Sequence, residues 1–158
     1  MILYHTSSMA VVSPEVVRSR SFLDFGKGFY LTTLREQAER YAQRFIRRKL
    51  QAWLNIYEFN ADAAGWKTRY FEGYDGEWLE FVSASACRAG EDTADYDLVV
   101  GGIANDKVIE TLDRYFLGEL SKDDALGLLK FEKPNNQYCI RSQKMIDECL
   151  THIESLRL

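Results

Sequence analysis

A histidine and two tyrosines are the residues of this chain whose types and spacing favour recognition of a flat ligand. Tyr30 closes a glycine-punctuated stretch, Gly26-Lys27-Gly28-Phe29-Tyr30, and Tyr41 lies further along, on the next predicted element. Two aromatic rings on adjacent elements can stack on the two faces of a heterocycle. The glycines carry no side-chain bulk, so the backbone is able to approach a ligand closely. Core packing and a tight turn are the simpler interpretations of the same residues.

His5 is one of two histidines and ends the first predicted strand, Ile2 to His5, within the sequence Leu3-Tyr4-His5-Thr6-Ser7. The other, His152, is predicted on the surface of a C-terminal helix. Two histidines so placed do not predict a metal site. The three cysteines show no C-x-x-C spacing and predict reduced thiols rather than a disulfide framework or a zinc site: Cys87, Cys139 and Cys149.

The length of 158 residues predicts a single domain spanning 1–158, large enough to bury a core without disulfides. Apolar residues make up 46% of the chain and charged residues 28%, as in ordinary globular proteins. No apolar run reaches the ~18 residues of a membrane span, and the N-terminus does not resemble a signal peptide. We therefore expect a cytoplasmic protein without a membrane partner.

The positions of these residues depend on a mixed set of predicted elements. Apolar patterning and turn residues predict strands at 2–5, 51–59, 97–103 and 136–141, and a strand fed by the glycine loop. A helix is predicted from Thr33 to about Leu50, with Thr33 and Glu36 as a capping box. Shorter helices are predicted over 76–83, after Asn105 or Asp106, after Ser121 and from Ser142 to the C-terminus. The mixture without strict alternation indicates an α+β fold.

Charge is unevenly distributed although the net charge is only −4. Residues 35–49 are rich in arginine and lysine, whereas residues 72–97 are acidic. Two solvated faces are the simpler interpretation of this pattern. The alternative is that the basic helix steers a phosphate-rich ligand or a nucleic acid.

The order of these motifs resembles the H-Y-E class of ADP-ribosyltransferases, the type of diphtheria toxin and poly(ADP-ribose) polymerases. His-Thr-Ser closes the first strand, Gly-Lys-Gly-Phe-Tyr-Leu-Thr-Thr opens the second, and Asn136-Gln137-Tyr138-Cys139-Ile140 forms a late strand. With Asp24-Phe25-Gly26 and Tyr96-Asp97-Leu98-Val99-Val100-Gly101, the pattern most closely resembles a bacterial family of small proteins, domain of unknown function 3990 (DUF3990). The resemblance implies a split antiparallel β-sheet ADP-ribosyltransferase-like fold with flanking helices.

The resemblance also implies a site for NAD as the co-substrate. His5 matches the histidine that binds the adenine-side ribose, and the backbone of Thr6 matches the group that holds the nicotinamide carboxamide. Tyr30 matches the tyrosine that stacks on the nicotinamide, and Tyr41 the tyrosine that covers its other face. The matching positions complete the implied cofactor site with the hydroxyl residue Ser7 and the loop residue Gly28.

The third motif departs from the pattern of the class. Gln137 occupies the place of the catalytic glutamate, and an amide neither carries a negative charge nor serves as a base. Asp106, at the end of a predicted buried strand, is the candidate to supply a carboxylate, although aspartate there is equally typical of a helix N-cap. Ala38 replaces a serine that helps to bind the carboxamide in polymerase-type members.

These residues give the expected function, with two alternatives. The expected activity is mono-ADP-ribosylation of a macromolecular acceptor, a protein or a nucleic acid, by the toxin component of a bacterial toxin–antitoxin pair. A small antitoxin protein is the partner implied by the resemblance. The first alternative is a catalytically weak or dead module that binds NAD or ADP-ribose, because Gln137 replaces the glutamate. The second is an enzyme that modifies nucleic acid, suggested by the basic helix.

Overall fold

The computed structural model describes residues 1–20, 23–62, 65–86, 95–102, 106–130, 132 and 136–158. In chain order, the strands are β1 (Ile2–Ser7), β2 (Phe29–Thr32), β3 (Trp53–Phe59), β4 (Thr68–Tyr70), β5 (Leu98–Gly102), β6 (Asn136–Ile140) and β7 (Leu150–Arg157). The helices are α1 (Arg35–Ile46), α2 (Gly76–Ala86), α3 (Asp106–Phe116), α4 (Lys122–Leu129) and α5 (Gln143–Cys149), with a short 3₁₀ turn at Val16–Arg18. This mixture of elements confirms the predicted α+β class.

The seven strands form one sheet in the order β4-β5-β6-β2-β1-β3-β7. Neighbouring strands are antiparallel except for β4 and β5, which run parallel. The resemblance implies a split antiparallel sheet, and the parallel pair of β4 and β5 departs from that expectation. β1, β2 and β6, which carry His5, Tyr30 and Gln137, lie side by side in the centre of the sheet.

The two faces of the sheet are covered by different helices. On one face, a buried cluster joins α2, α3 and α4 to the sheet through Trp78, Val108, Ala125, Val99 and Cys139. On the same face, α1 packs through Ala38 on Leu54 and Ile56. On the other face, α5 buries Met145, Ile146 and Cys149 against Leu3, Leu31 and Ile140. Apolar burial of this kind contributes about 25 cal/mol per Å² and supplies most of the driving force for the fold.

Helix α1 is the element predicted most clearly, but its N-terminus differs from the prediction. The capping box of Thr33 and Glu36 is wrong: α1 begins at Arg35, its N-cap is Leu34, and that residue makes no side-chain cap. Instead, the Thr32 hydroxyl oxygen accepts a hydrogen bond from the Leu34 N–H at 3.1 Å. The helix also ends at Ile46 rather than near Leu50.

The C-terminal prediction is half correct. Ser142 caps α5 by accepting a hydrogen bond from the Met145 N–H, as its position indicates. The helix then ends at Cys149, and the remaining residues form β7 along the outer edge of β3. His152 is therefore a strand residue rather than a helix-surface residue. No described helix has the length and apolar character needed to cross a bilayer.

Candidate functional site

One row of residues crosses the centre of the sheet. Tyr4 on β1 lies opposite Thr32 on β2, Thr32 lies opposite Gln137 on β6, and Gln137 lies opposite Gly101 on β5. Residues directly opposite in antiparallel strands project from the same face, and so do residues two apart on one strand. Tyr30 therefore shares the face of Gln137. His5, one position along from Tyr4, belongs to the opposite face.

The junction between β1 and β2 is short. Its register consists of the single pair Tyr4–Thr32, whereas β1 pairs with β3 along its whole length, from Ile2–Glu58 to Ser7–Trp53. If the β1–β2 register continued, Thr6 would lie opposite Tyr30. The register does not include that pair, and we call the space between the backbones of Thr6 and Tyr30 the β1–β2 gap.

The pairing of β1 with β3 decides which backbone groups face this gap. Met1 and Phe59 exchange both of their backbone hydrogen bonds, each at 2.8 Å. Hydrogen-bonded pairs alternate along an antiparallel ladder, so His5 also directs its backbone groups to β3. Thr6 then directs its N–H and its C=O away from β3, toward the gap. One donor and one acceptor on the same residue thus face the space beside Tyr30.

The His5 side chain lies across the same gap. Its Nδ1 is 2.8 Å from the Tyr30 carbonyl oxygen, and its ring centroid is 4.5 Å from that of Phe29. Burial lowers the pKa of His5, and the hydrogen bond to the Tyr30 backbone opposes this shift only in part. Because a carbonyl oxygen only accepts, we infer that Nδ1 carries the proton of the neutral ring. Nε2 is then left with an electron pair that can accept a hydrogen bond from a hydroxyl.

The lowered pKa of His5 predicts a pH dependence of stability. An unfolded histidine binds its proton near pH 6.5, whereas folded His5 remains neutral to a lower pH. The free energy of unfolding should therefore fall as the pH drops below 6.5, by up to about 1.4 kcal/mol per pH unit from this group. Urea unfolding from about pH 8 to about pH 5 measures this slope.

Two substitutions separate His5 from the other titrating groups. The His5→Gln variant should lose this part of the slope, and the His152→Gln variant should retain it. Identical pH profiles for His5→Gln and the unmodified protein would show that the folded-state pKa of His5 is not lowered.

Tyr30 holds the glycine loop through its hydroxyl group. The hydroxyl donates to the Gly26 carbonyl oxygen at 2.6 Å and accepts from the Phe25 N–H at 3.1 Å. The ring packs against the buried cluster that contains Phe25 and Cys139. Burial raises the pKa of Tyr30 far above its ordinary value, so the hydroxyl stays protonated. Tyr30 thus fixes the loop, and any contribution to ligand binding comes from its ring rather than from proton transfer.

Replacing Tyr30 with phenylalanine tests this role. The Tyr30→Phe variant keeps the ring but leaves the Phe25 N–H and the Gly26 carbonyl without this partner, so we expect a loss of about 1 to 2 kcal/mol in the free energy of unfolding. Chemical denaturation measures the loss. Tyr70→Phe is the matched control, because the Tyr70 side chain is 62% exposed. An unchanged stability of Tyr30→Phe would contradict the loop-holding role.

Helix α1 is fixed beside the gap by Thr6. The buried Thr6 hydroxyl donates to the Ala38 carbonyl oxygen at 2.6 Å. Tyr41, one turn further along α1, is 40% exposed, and its ring contacts Phe45 and the guanidinium group of Arg44. The rings of Tyr30 and Tyr41 do not contact each other. The structure thus brings Thr6, His5 and Tyr30 together at the gap and places Tyr41 on the adjoining helix surface.

The two candidates for the third motif, Gln137 and Asp106, are described by the structure to different extents. Gln137 is 9% exposed, and no described residue forms a hydrogen bond with its side chain. Asp106 is the first residue of α3, which agrees with the alternative that this aspartate starts a helix. The Asp106 side chain and the preceding Asn105 lie outside the described residues. Only Gln137 can therefore be placed on the row that includes Thr32 and Tyr4.

Comparison with known proteins supplies the family. A family model described as "Protein of unknown function (DUF3990)" matches residues 1–152. This chain belongs to the DUF3990 family. No curated protein and no solved structure matches it. The family match includes every residue from His5 to Gln137.

Asn55 is a residue of this DUF3990 protein that the sequence analysis missed. It is fully buried, and its Oδ1 accepts from the Val11 N–H at 2.8 Å and from the Ser155 hydroxyl at 2.7 Å. Its Nδ2 donates to the Ser7 hydroxyl oxygen at 3.3 Å. Asn55 thus anchors the segment that follows His5. A lone asparagine inside the apolar strand Trp53–Phe59 was the signal available in the sequence.

Two surface cavities of the DUF3990 protein lie away from the gap. One, of about 700 Å³, is formed by residues 12–17 and α5. The other, of about 600 Å³, lies where Met1, Trp66, Tyr70 and Tyr138 meet. Neither is lined by His5, Tyr30 or Gln137. Among the described residues, no cluster of His, Cys, Asp and Glu side chains has the composition of a metal site.

Proposed function

We propose that this DUF3990 protein is an NAD-dependent mono-ADP-ribosyltransferase that binds the nicotinamide end of NAD at the β1–β2 gap. The observation that carries the proposal is that the Thr6 backbone groups face an incomplete strand junction, which the His5 side chain borders on one face of the sheet and the Tyr30 ring borders on the other. It rests also on the resemblance of these residues to the H-Y-E motifs.

The gap suits the chemistry of a carboxamide. A primary amide has both a donor and an acceptor. Its NH₂ group can donate to the Thr6 C=O and its oxygen can accept from the Thr6 N–H, as in the pairing of two strands. The electron pair inferred on His5 Nε2 suits a ribose hydroxyl. The Tyr30 ring supplies an aromatic surface of the kind on which a nicotinamide stacks.

The reaction needs positioning more than acid–base chemistry. Nicotinamide leaves from C1 of its ribose through an oxocarbenium-like transition state, so holding the ring and the ribose in place lowers the barrier. Gln137, as a neutral amide, can hold a ribose hydroxyl but cannot balance the developing positive charge. We therefore infer a slow transfer to an acceptor that needs no base at this position.

Incubation of the purified protein with labelled NAD and cell extract tests the activity. We expect free nicotinamide and label attached to macromolecules, both reduced at least about tenfold in the His5→Gln variant, which is about 1.4 kcal/mol in the barrier. The His152→Gln variant, altered at the other histidine, should match the unmodified protein. Absence of both products above the level of His5→Gln, with any antitoxin removed, would refute the proposal.

A module that binds NAD or ADP-ribose without transfer is the second candidate, and Gln137 is the observation that favours it. Titration calorimetry separates the two, because this candidate requires NAD binding without release of nicotinamide. His5→Gln should weaken binding under either candidate, so the nicotinamide assay decides between them.

A neutralising antitoxin is a further part of the proposal and derives from the family resemblance. An active transferase consumes NAD and modifies the macromolecules of its own cell, so a partner that blocks the gap would protect that cell. Expression with and without the product of a small adjacent gene tests this point. Equal growth arrest in both cultures would exclude that product as an antitoxin.

A further inference from the structure

The exposed side of α1 carries arginines that form no ion pairs with the described part of the chain. Arg40, Arg44 and Arg47 have the spacing i, i+4 and i+7, which places them along one side of a helix over about 10 Å. Together with Tyr41 they occupy an arc of about 120°, and the buried Ala38 and Ala42 lie on the opposite side, outside that arc. We call these four residues the α1 basic face.

Among the described residues, no acidic side chain forms an ion pair with Arg40, Arg44 or Arg47, although Glu154 of β7 acts electrostatically on Arg35 of the same helix. Of the two acids in α1, Glu39 pairs with Arg35 at 2.8 Å, and Glu36 lies in the first turn. No acidic residue follows in the sequence until Glu58. Elsewhere the described arginines and lysines are commonly paired, as Lys122 is with Glu80 and Arg69 is with Glu77. The α1 basic face is thus a local concentration of positive charge on a chain whose net charge is −4.

Tyr41 adds an aromatic surface to the same face. Its side chain is 40% exposed, and the Arg44 guanidinium carbon lies 5.1 Å from its ring centroid. Exposed aromatic rings interleaved with cations are typical of surfaces that bind single-stranded nucleic acid, where bases stack and phosphates pair with arginines. A duplex keeps its bases stacked on one another and offers none to Tyr41.

The α1 basic face and the β1–β2 gap lie on opposite sides of the same helix. The Thr6 hydroxyl is bonded to the Ala38 carbonyl oxygen of the same helix, and Tyr41 is one helical turn beyond Ala38. A nucleic acid bound to the α1 basic face is therefore about one helix diameter, about 10 Å, from the gap, and a free part of that nucleic acid is able to reach the ribose of NAD.

We propose that the α1 basic face binds single-stranded nucleic acid and that this nucleic acid is the acceptor of ADP-ribose. The acceptor role rests on the proposed transferase activity, whereas the binding does not. In the transfer, the bond between ribose C1 and the nicotinamide nitrogen breaks, and its electron pair leaves with nicotinamide. An electron pair on a nitrogen or oxygen of the nucleic acid forms the new bond to C1, and any proton on that atom passes to water.

Fluorescence anisotropy with a labelled twelve-nucleotide single strand tests the surface without NAD. If three phosphates are neutralised, a plot of the logarithm of the binding constant against the logarithm of the salt concentration should have a slope of about −2. This slope corresponds to a binding constant about fifteen-fold lower at about 200 mM salt than at about 50 mM salt. The triple variant Arg40→Gln, Arg44→Gln, Arg47→Gln should bind at least about tenfold more weakly with a flat slope. Tyr41→Ala should bind at least about fivefold more weakly.

The control is a second triple variant with the same change in net charge, Lys107→Gln, Arg114→Gln, Lys122→Gln, which leaves the α1 basic face intact. It should bind within about twofold of the unmodified protein. Equal weakening by the two triple variants, or equal binding of a duplex or of anionic lipid vesicles, would overturn the assignment to single-stranded nucleic acid.

The acceptor role is tested by adding labelled NAD to the protein and the bound strand. We expect label on the nucleic acid. In the α1 triple variant this label should be lost while NAD hydrolysis persists. Nicotinamide release with label only on protein would overturn the acceptor role and leave the transferase proposal intact. Strand binding without any nicotinamide release, even in cell extract, would instead count against the transferase proposal and the acceptor role, while the binding surface would stand.

Discussion

Under the proposed NAD-dependent activity, replacing Gln137 with glutamate is expected to raise the rate of nicotinamide release by about 10- to 100-fold, which corresponds to about 1.4 to 2.7 kcal/mol in the barrier. Gln137 lies on the row with Thr32 and Tyr4, at the centre of the sheet and next to the strand that borders the β1–β2 gap. A carboxylate of the same length would provide the negative charge that the amide lacks and would stabilise the oxocarbenium-like transition state. Nicotinamide release is measured by chromatography under saturating NAD.

The effect of the new charge on the stability of the fold has to be separated from its effect on the reaction. The position is 9% exposed, and burial of a carboxylate destabilises the fold and disfavours its charged form. The free energy of unfolding of Gln137→Glu should therefore be measured beside its rate, and the rate gain should disappear at low pH as the carboxyl group becomes protonated. Gln137→Met, similar in length but uncharged and unable to hold a hydroxyl, should release less nicotinamide than the unmodified protein. A folded Gln137→Glu variant with an unchanged rate would remove Gln137 from the reaction.

The central strands could be predicted from the sequence because their local patterns agree with their tertiary surroundings. β5 is buried along its whole length and reads as the apolar run Leu98-Val99-Val100. The glycine loop and the strand that follows were found from turn residues in the same way. Local pattern and fold therefore agree where a strand is enclosed on both faces.

β7 could not be predicted because its pattern fits two structures. Ile146, Cys149, Leu150 and Ile153 have helical spacing, and the helix does continue through Cys149. Beyond that residue, the free edge of β3 offers backbone hydrogen bonds from Trp53 to Phe59, and the chain pairs with it instead. Ile153 is 50% exposed as a result. Such a choice depends on a distant strand and leaves no local signal.

The residue types of the candidate site could be proposed from the sequence, but their geometry could not. The motifs pointed to His5, Tyr30 and Gln137, and the structure places them on three adjacent strands. The register that aligns Gln137 with Thr32, and the restriction of the β1–β2 register to the pair Tyr4–Thr32, depend on long-range pairing. The anchoring of the segment after Ser7 by Asn55 likewise depends on a residue far along the chain.

Gly28→Ala is expected to lower the free energy of unfolding by about 3 kcal/mol or more, within the upper range for overpacking of a buried site. A methyl group added at Gly28 would lie 2.3 Å from the Cys139 sulfur and 2.9 Å from the Ile140 carbonyl oxygen. Cys139 is fully buried on the neighbouring strand and packs in the cluster that contains Trp78 and Val99. The glycine is thus required by close packing of the loop on β6, a structural reason that the sequence interpretation as a ligand-approach loop did not contain.

Two further variants keep this prediction testable if Gly28→Ala fails to fold. The double variant Gly28→Ala, Cys139→Ala removes the sulfur, so its destabilisation should be smaller than the sum of the two single effects. Gly127→Ala is the matched control, because nothing lies within 4 Å of the added methyl group and the position is inside α4. That substitution should stabilise the protein by about 0.5 to 1 kcal/mol through helix propensity. A Gly28→Ala variant as stable as Gly127→Ala would show that the loop does not pack closely on Cys139.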